Sequence, residues 1–215
     1  MEAVILPCFS EKRKLMSEDQ SIKFIKIKDN RITSSEGLLF KTEDKLESIK
    51  FMSQAYKFFG INYSKFFKMD GLSKAGFIAA ELLSEKIQLE KNTGLIFSNS
   101  SSSQDTDLRF QESMQNFASP SVFVYTLPNI VLGEISIRHS IQSENAFFIT
   151  EKFDPELMLD YAEIQLKNLA CENVLCGWLN LHNNEYDVFL WHVADLEDLQ
   201  SQRGQLPKIY ATTNE

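Results

Sequence analysis

The stretch from Ser119 to His139, "SPSVFVYTLPNIVLGEISIRH", limits what this chain can fold into more than any other. It is apolar on nearly every side, yet Pro128, Asn129 and Gly133 stand in its middle. Helical spacing runs from Ser121 to His139, and Pro128 removes a backbone donor within it, so a kink or break is expected there. Val122, Phe123, Val124, Leu127, Ile130, Val131, Leu132, Ile135 and Ile137 leave almost no polar face before the last turns. A helix that is apolar all round has to be covered all round. A small domain with one sheet covers one side from its own core. A central core helix is one reading of the segment; the other gives its second side to a partner subunit.

Strand and helix patterns alternate around this segment. "EAVILP", residues 2–7, reads as a short buried strand. "IKFIKIKD", residues 22–29, alternates apolar residues with lysine, the pattern of a half-exposed strand at a sheet edge. Residues 44–59 place Leu46, Ile49, Phe51, Met52, Ala55, Phe58 and Phe59 along one side of a helix closed by Gly60. Residues 69–88 form another helix, with a stripe of Leu72, Gly76, Ala79, Ala80 and Leu83 that lets a second helix or a sheet come close. "TGLIFSN" is a strand, and the polar run after it leads into a weak helix around 105–115.

Past the opening segment, a short apolar strand stops at Thr150-Glu151-Lys152-Phe153. Asp154 as N-cap and Pro155 at the first helical position start a helix that runs to about Ala170. "NVLCGWLNL" and "YDVFLWHVAD" are strands joined by a tight turn at "HNNE". The order predicts one α/β domain, residues 1–215, with helices layered on a mixed sheet.

The totals exclude several classes. A net charge of −8 repels phosphate backbones, so no nucleic-acid partner is expected. No apolar run reaches the ~20 residues needed to span a bilayer, and the amino terminus lacks a secretory pattern, so the expected location is the cytoplasm and no membrane contact is expected. Seventeen Phe against eight Gly and five Pro predict a dense aromatic core. Cys8, Cys171 and Cys176 lack paired C-x-x-C spacing, which argues against a disulfide framework or a zinc site; no metal or cofactor is expected. Cys176 lies in a strand pattern, where a thiol acts as a small hydrophobe. His139, His182 and His192 fall on a helix end, a turn and a strand, and read as structural or solvated. The serine run 98–103 lacks the glycines and lysine of a phosphate loop and reads as a plain loop.

Four pieces, in this order, resemble the β-ketoacyl synthase family. "KMDGLSKAGFIAAELL" resembles its helix with a basic-Met-Asp start, a Ser-basic pair and a double alanine. "TGLIFSNSSSS" sits where the family has a strand and a glycine-rich turn. "SPSVFVYTLPNIVLGEISIRHSI" resembles the segment from a Ser-Pro pair through Thr-x-x-Asn and Gly to the active-site strand, and "NVLCGWLNL" its Val-x-x-Gly-Gly strand. The resemblance covers nearly the whole chain but only the amino-terminal half of a full synthase. It implies a thiolase-like fold.

In the family, the next strand leads to Thr-Ala-Cys, whose thiolate takes the acyl chain from a carrier protein. Counting from Pro120, Asn129 and Gly133, Thr150 matches that threonine and Lys152 the cysteine. An ammonium is no acyl-accepting thiolate, and positive charge is disfavoured beside a helix N-terminus. No cysteine lies between Cys8 and Cys171, and the half that carries the family's catalytic histidines has no match. The resemblance therefore implies a non-catalytic subunit, like the chain length factors that pair with an active ketosynthase. Short members of this kind accompany aryl-polyene and flexirubin pigment clusters. The implied partner is a full-length ketosynthase, with an acyl carrier protein met indirectly and a homodimer as the form without a partner. The segment matching 119–139 lies near the family's two-fold interface, which makes Phe123, Val124, Tyr125, Thr126, Leu127, Asn129 and Val131 interface or acyl-tunnel residues. Two alternatives stay open: an acyl-transfer enzyme with another nucleophile, and a self-associating scaffold.

Overall fold

The computed structural model describes residues 22–212. The strand expected at residues 2–7 lies outside them, as does Cys8. Among the described residues seven strands form one sheet: β1 (Phe24–Lys28), β2 (Arg31–Ser34), β3 (Gly37–Lys41), β4 (Thr93–Asn99), β5 (Asn145–Ile149), β6 (Asn173–His182) and β7 (Glu185–Val193). The helices are α1 (Ser48–Phe58), α2 (Gly71–Ser84), α3 (Gln104–Ser113), α4 (Pro120–Phe123), α5 (Ile130–His139), α6 (Pro155–Lys167), α7 (Leu196–Gln202) and α8 (Leu206–Ala211).

The strand order is β3-β2-β1-β7-β6-β4-β5. Strand β4 runs parallel to both β5 and β6, and every other pairing is antiparallel. The mixed sheet and its helical layers match the α/β expectation. Two hairpins use asparagine where the backbone turns left-handed: Asp29-Asn30 between β1 and β2 (φ 50° and 58°) and Asn183-Asn184 between β6 and β7 (φ 49° and 69°). Positive φ at both central residues matches the twist of the flanking strands. These asparagines then reach across to α1, which has no side-chain cap of its own. Asn30 Oδ1 accepts from the Leu46 amide (3.0 Å) and Asn184 Oδ1 from the Ser48 amide (2.8 Å).

Period-two alternation splits the core between the two sheet faces. Leu175, Leu179 and Leu181 of β6 pack with α1, α2 and α5; Val174, Cys176 and Trp178 point the other way, toward α6, α7 and α8. On β7, Val188 and Leu190 share the first face, and Phe189, Trp191 and Val193 the second.

Two expectations change. The lysine-rich strand β1 is interior, paired with β2 on one side and β7 on the other. Its lysines are answered from afar: Lys26 Nζ donates to the carbonyls of Tyr210 (2.6 Å) and Thr212 (3.2 Å) at the end of α8, where the helix dipole favours a cation. Lys28 pairs with Asp187, its cross-strand neighbour, at 2.9 Å. On α1, Phe51, Met52, Ala55 and Tyr56 make the buried face, while Ile49 and Phe58 turn outward.

Helix α2 holds the assembly together. Asp70 caps it, accepting from the Ser73 amide at 2.9 Å, and also accepts from Thr106 Oγ1 of α3 at 2.8 Å. Its small-residue stripe lets it approach the sheet and α5 together. A Cβ on Gly76 would stand 2.4 Å from Leu179 Cδ2 of β6 and 2.6 Å from Val131 Cγ2 of α5. Gly76→Ala should therefore lower stability by about 1–3 kcal/mol, read as a drop in the urea midpoint at unchanged slope.

Candidate functional site

Parallel strands β4, β5 and β6 end on the same side of the sheet, the usual place for function in an α/β fold. The polar run after β4 is a joint that ties four pieces together there. Asn99 accepts the Thr150 amide at 2.9 Å. Its side chain closes a loop on Ser102, accepting from the Ser102 amide (2.9 Å) and donating to the Ser102 carbonyl (2.8 Å). The amide and hydroxyl of Ser100 donate to Asn180 Oδ1 of β6 at 3.2 and 3.0 Å. Ser103 Oγ donates to the Thr126 carbonyl. The serine run is thus a structural loop, and it brings the 119–139 segment and the end of β5 to one place.

Lys152 stands on the turn between β5 and α6 and is exposed. Thr150 Oγ1 donates to its carbonyl at 2.9 Å. Asp154 caps α6 through the Leu157 amide (3.1 Å), and Pro155 opens the helix as the sequence predicted. The next residue after Lys152 pins the turn: the Phe153 ring lies 4.1 Å from that of Tyr210 and about 6 Å from those of Trp178, Phe189 and Trp191.

The opening segment is broken as expected. Helix α4 and a 3₁₀ turn (Val124–Thr126) meet α5 at a bend of 97° around Pro128. Helix α4 buries none of its residues, the 3₁₀ turn buries Tyr125, and α5 buries Val131, Leu132 and Ile135, so the segment is not enclosed all round by the described chain. Phe123, Val124 and Leu127 are 59%, 51% and 59% exposed, and Asn129 is exposed too; Thr126 is half-buried. Tyr125 and Val131 turn inward, Val131 against α2. No single helix among the described residues is long and apolar enough to cross a membrane.

A clasp that the sequence reading missed sets the bend. Tyr125 donates its hydroxyl to Glu134 Oε1 of α5 at 3.0 Å, and Tyr63 donates to Oε2 at 3.5 Å. Burial, reinforced by Glu134, pushes the Tyr125 phenol pKa up, so it remains a donor. A turn further on, Arg138 grips the largely buried Glu81 of α2 through Nε (3.0 Å) and Nη2 (2.8 Å), and its guanidinium lies over the Tyr63 ring. His139 Nε2 lies 2.9 Å from Glu81 Oε1. Burial alone would raise the Glu81 carboxyl, but the His139 and Arg138 side chains outweigh it and hold the carboxyl below its ordinary range. A depressed carboxyl stabilises the fold at neutral pH, and that contribution is lost as pH falls from about 4.3 through the lower folded-state value. Urea midpoints measured from about pH 6 to about pH 3 should fall less steeply in Glu81→Gln than in the parent chain.

Among the described residues strand β5 is an open edge. Its one partner there is β4, and its sequence "NAFFI" holds no charge and no proline, with Ile149 more than half exposed. The opposite edge, β3, carries Lys41 and a register shift against β2. Charge and irregularity are how sheets blunt a free edge, and β5 has neither.

The three histidines keep separate company: His139 with Glu81, His182 Nδ1 with Asp105 at 2.9 Å, and His192 Nε2 with Asn173 at 3.3 Å. Burial pushes the His192 pKa down. Among the described residues no group of three or more His, Cys, Asp or Glu is placed to hold a metal ion. Cys171 and Cys176 are buried, and burial pushes both thiols up. Iodoacetamide should therefore leave Cys176 unmodified in the native protein and label it in urea, as read by mass spectrometry.

No family model matches the chain, and no curated protein matches its sequence. Solved structures do match it: the chain has the thiolase-like fold of ketosynthases and chain length factors. A ketosynthase in complex with its chain length factor from Xenorhabdus doucetiae matches with a TM-score of 0.55 at 10% identity, over 81% of this chain and 78% of that one. The ishigamide ketosynthase/chain length factor matches with a TM-score of 0.59 at 12% identity, over 82% of this chain and 62% of that one. A type II polyketide synthase acyl carrier protein in complex with its ketosynthase, bound to the hexaketide, matches with a TM-score of 0.51 at 17% identity, over 67% and 51%. At such identities the likeness is one of fold.

Proposed function

We propose that this chain is a non-catalytic ketosynthase-like subunit of the chain-length-factor type, which pairs with an active ketosynthase in fatty-acid or polyketide-type biosynthesis. The observation that carries the reading is an apolar surface with none of the described residues over it. Phe123, Val124 and Leu127 stand out at the bend, and the bend and the end of the uncharged strand β5 are both tied to the Asn99–Ser103 joint. Monomeric proteins rarely expose such a combination. Two of the matching structures are named as ketosynthases with chain length factors, which supplies the kind of partner.

On this reading Lys152 occupies the place of the family's nucleophilic cysteine, and acyl transfer belongs to the partner. The carrier protein docks there as well, since carrier proteins are acidic and this chain carries −8. Phe123, Tyr125, Thr126, Leu127 and Asn129 line or support the floor of the partner's acyl tunnel, where bulky rings limit how far a growing chain extends. Val131 acts from inside, holding α5 on α2. The pathway class is that of aryl-polyene or flexirubin pigments, in the cytoplasm.

The test is co-expression with a full-length ketosynthase from the same genome. The two chains should co-purify as a heterodimer, and Val124→Asp should break the pair, because an unpaired charge buried at an interface is strongly unfavourable. Val124 is exposed in the chain by itself, so the variant should keep its unfolding midpoint. An Asp variant that pairs unchanged sinks the interface. Stable acylation of this chain alone by an acyl-carrier mimic would make it an enzyme instead.

A further inference from the structure

Helix α5 has a face that the described residues do not account for. Val131, Leu132 and Ile135 point into the core, and on the opposite side, at helical spacing, lie Gly133 and Ile137, while Ile130 at the start of the helix is half-buried against the core. Gly133 is exposed and Ile137 is 61% exposed. A helix face turned to water normally carries charge. Here it carries a glycine and an isoleucine.

The glycine is the stranger residue. Glycine inside a helix is less stable than alanine because it restricts the unfolded chain less, and it is tolerated where something must come close. Gly76 shows such a demand inside this fold. Gly133 shows none: a Cβ built there meets no atom within 4 Å. Nothing in the described chain explains why this position lacks a side chain.

The charges flanking the face are already committed inward. Glu134 accepts from Tyr125 and Tyr63, and Arg138 is held by Glu81. Covering the face therefore strands no unpaired charge, which is the condition for burying such a surface at an interface. The clasp between Tyr125 and Glu134 also fixes α5 relative to the exposed bend at Phe123, Val124 and Leu127.

We infer that Gly133 is a close-contact point at which the backbone of the ketosynthase-type partner packs directly on α5, beside Ile137. This rests on the subunit reading above and deepens it, since it gives that partner its line of approach. Its occupant is the partner ketosynthase, as the fold's solved ketosynthase and chain length factor complexes suggest.

The prediction has two halves of opposite sign. In the isolated chain, Gly133→Ala should raise the folding equilibrium constant about fivefold, and Gly133→Leu should raise it as well, because helix propensity improves and there is room. With a co-expressed ketosynthase from the same genome, Gly133→Leu should weaken pairing at least about tenfold, with Gly133→Ala in between, since overpacking a close contact is unfavourable. Dissociation constants from sedimentation and urea midpoints read the two halves. A Leu variant that pairs as tightly as the parent overturns the inference, and so does one less stable in isolation. If Val124→Asp breaks the pair while Gly133→Leu does not, only this inference fails; if neither variant affects it, the subunit reading fails.

Discussion

The contact at Gly76 governs the arrangement of this molecule. By having no side chain there, α2 lies against β6 and α5 at once, with Leu179 on one side and Val131 on the other. Asp70 at the start of α2 holds α3, and Glu81 near its end holds Arg138 of α5. A broken apolar segment that would otherwise have no preferred orientation is thereby fixed on α2 at two points, Val131 and Arg138. What it shows to the outside is a consequence of how tightly its inner side is held.

The same logic explains a division between rigid and outward-looking parts. Tyr125 and Val131 face inward and define the bend, whereas Phe123, Val124 and Leu127 alternate with them and face outward. The polar joint at Asn99–Ser103 then relates the bend to the end of β5 and the Lys152 turn. Phe153 sinks into a ring cluster shared by β6, β7 and α8, so that turn is as firmly anchored as the sheet. A partner that meets this side of the molecule meets a surface set in advance, which lowers the ordering entropy of association.

Much of this was legible in the sequence because local rules agree with the final packing. Asp154-Pro155 starts α6, Asn183-Asn184 turns the β6–β7 hairpin, and Pro128 breaks the apolar helix where its missing donor requires it. The small-residue stripe announced the close approach of α2, although it did not say that the sheet and α5 would both use it. The errors came where distant residues decide. Lysines in β1 suggested an edge, but Lys26 is answered by carbonyls 184 and 186 residues away, which no local pattern encodes. The Glu134 clasp was hidden for the same reason, since Tyr63 lies 71 residues from it. Which side of the 119–139 segment stays open depended on where Pro128 sent the chain, and the bend angle is not written in composition.

The margin of β5, free among the described residues, has a bearing on how such a protein is made in a cell. Five residues without charge, proline or bulge form the kind of strand that adds readily to copies of itself. Molecules made in excess of whatever covers that margin would be drawn into aggregates, whereas those met promptly on synthesis would not. Balanced dosage of two gene products, and their production close together in time, is thus a demand that the side chains of a single strand place on gene organisation.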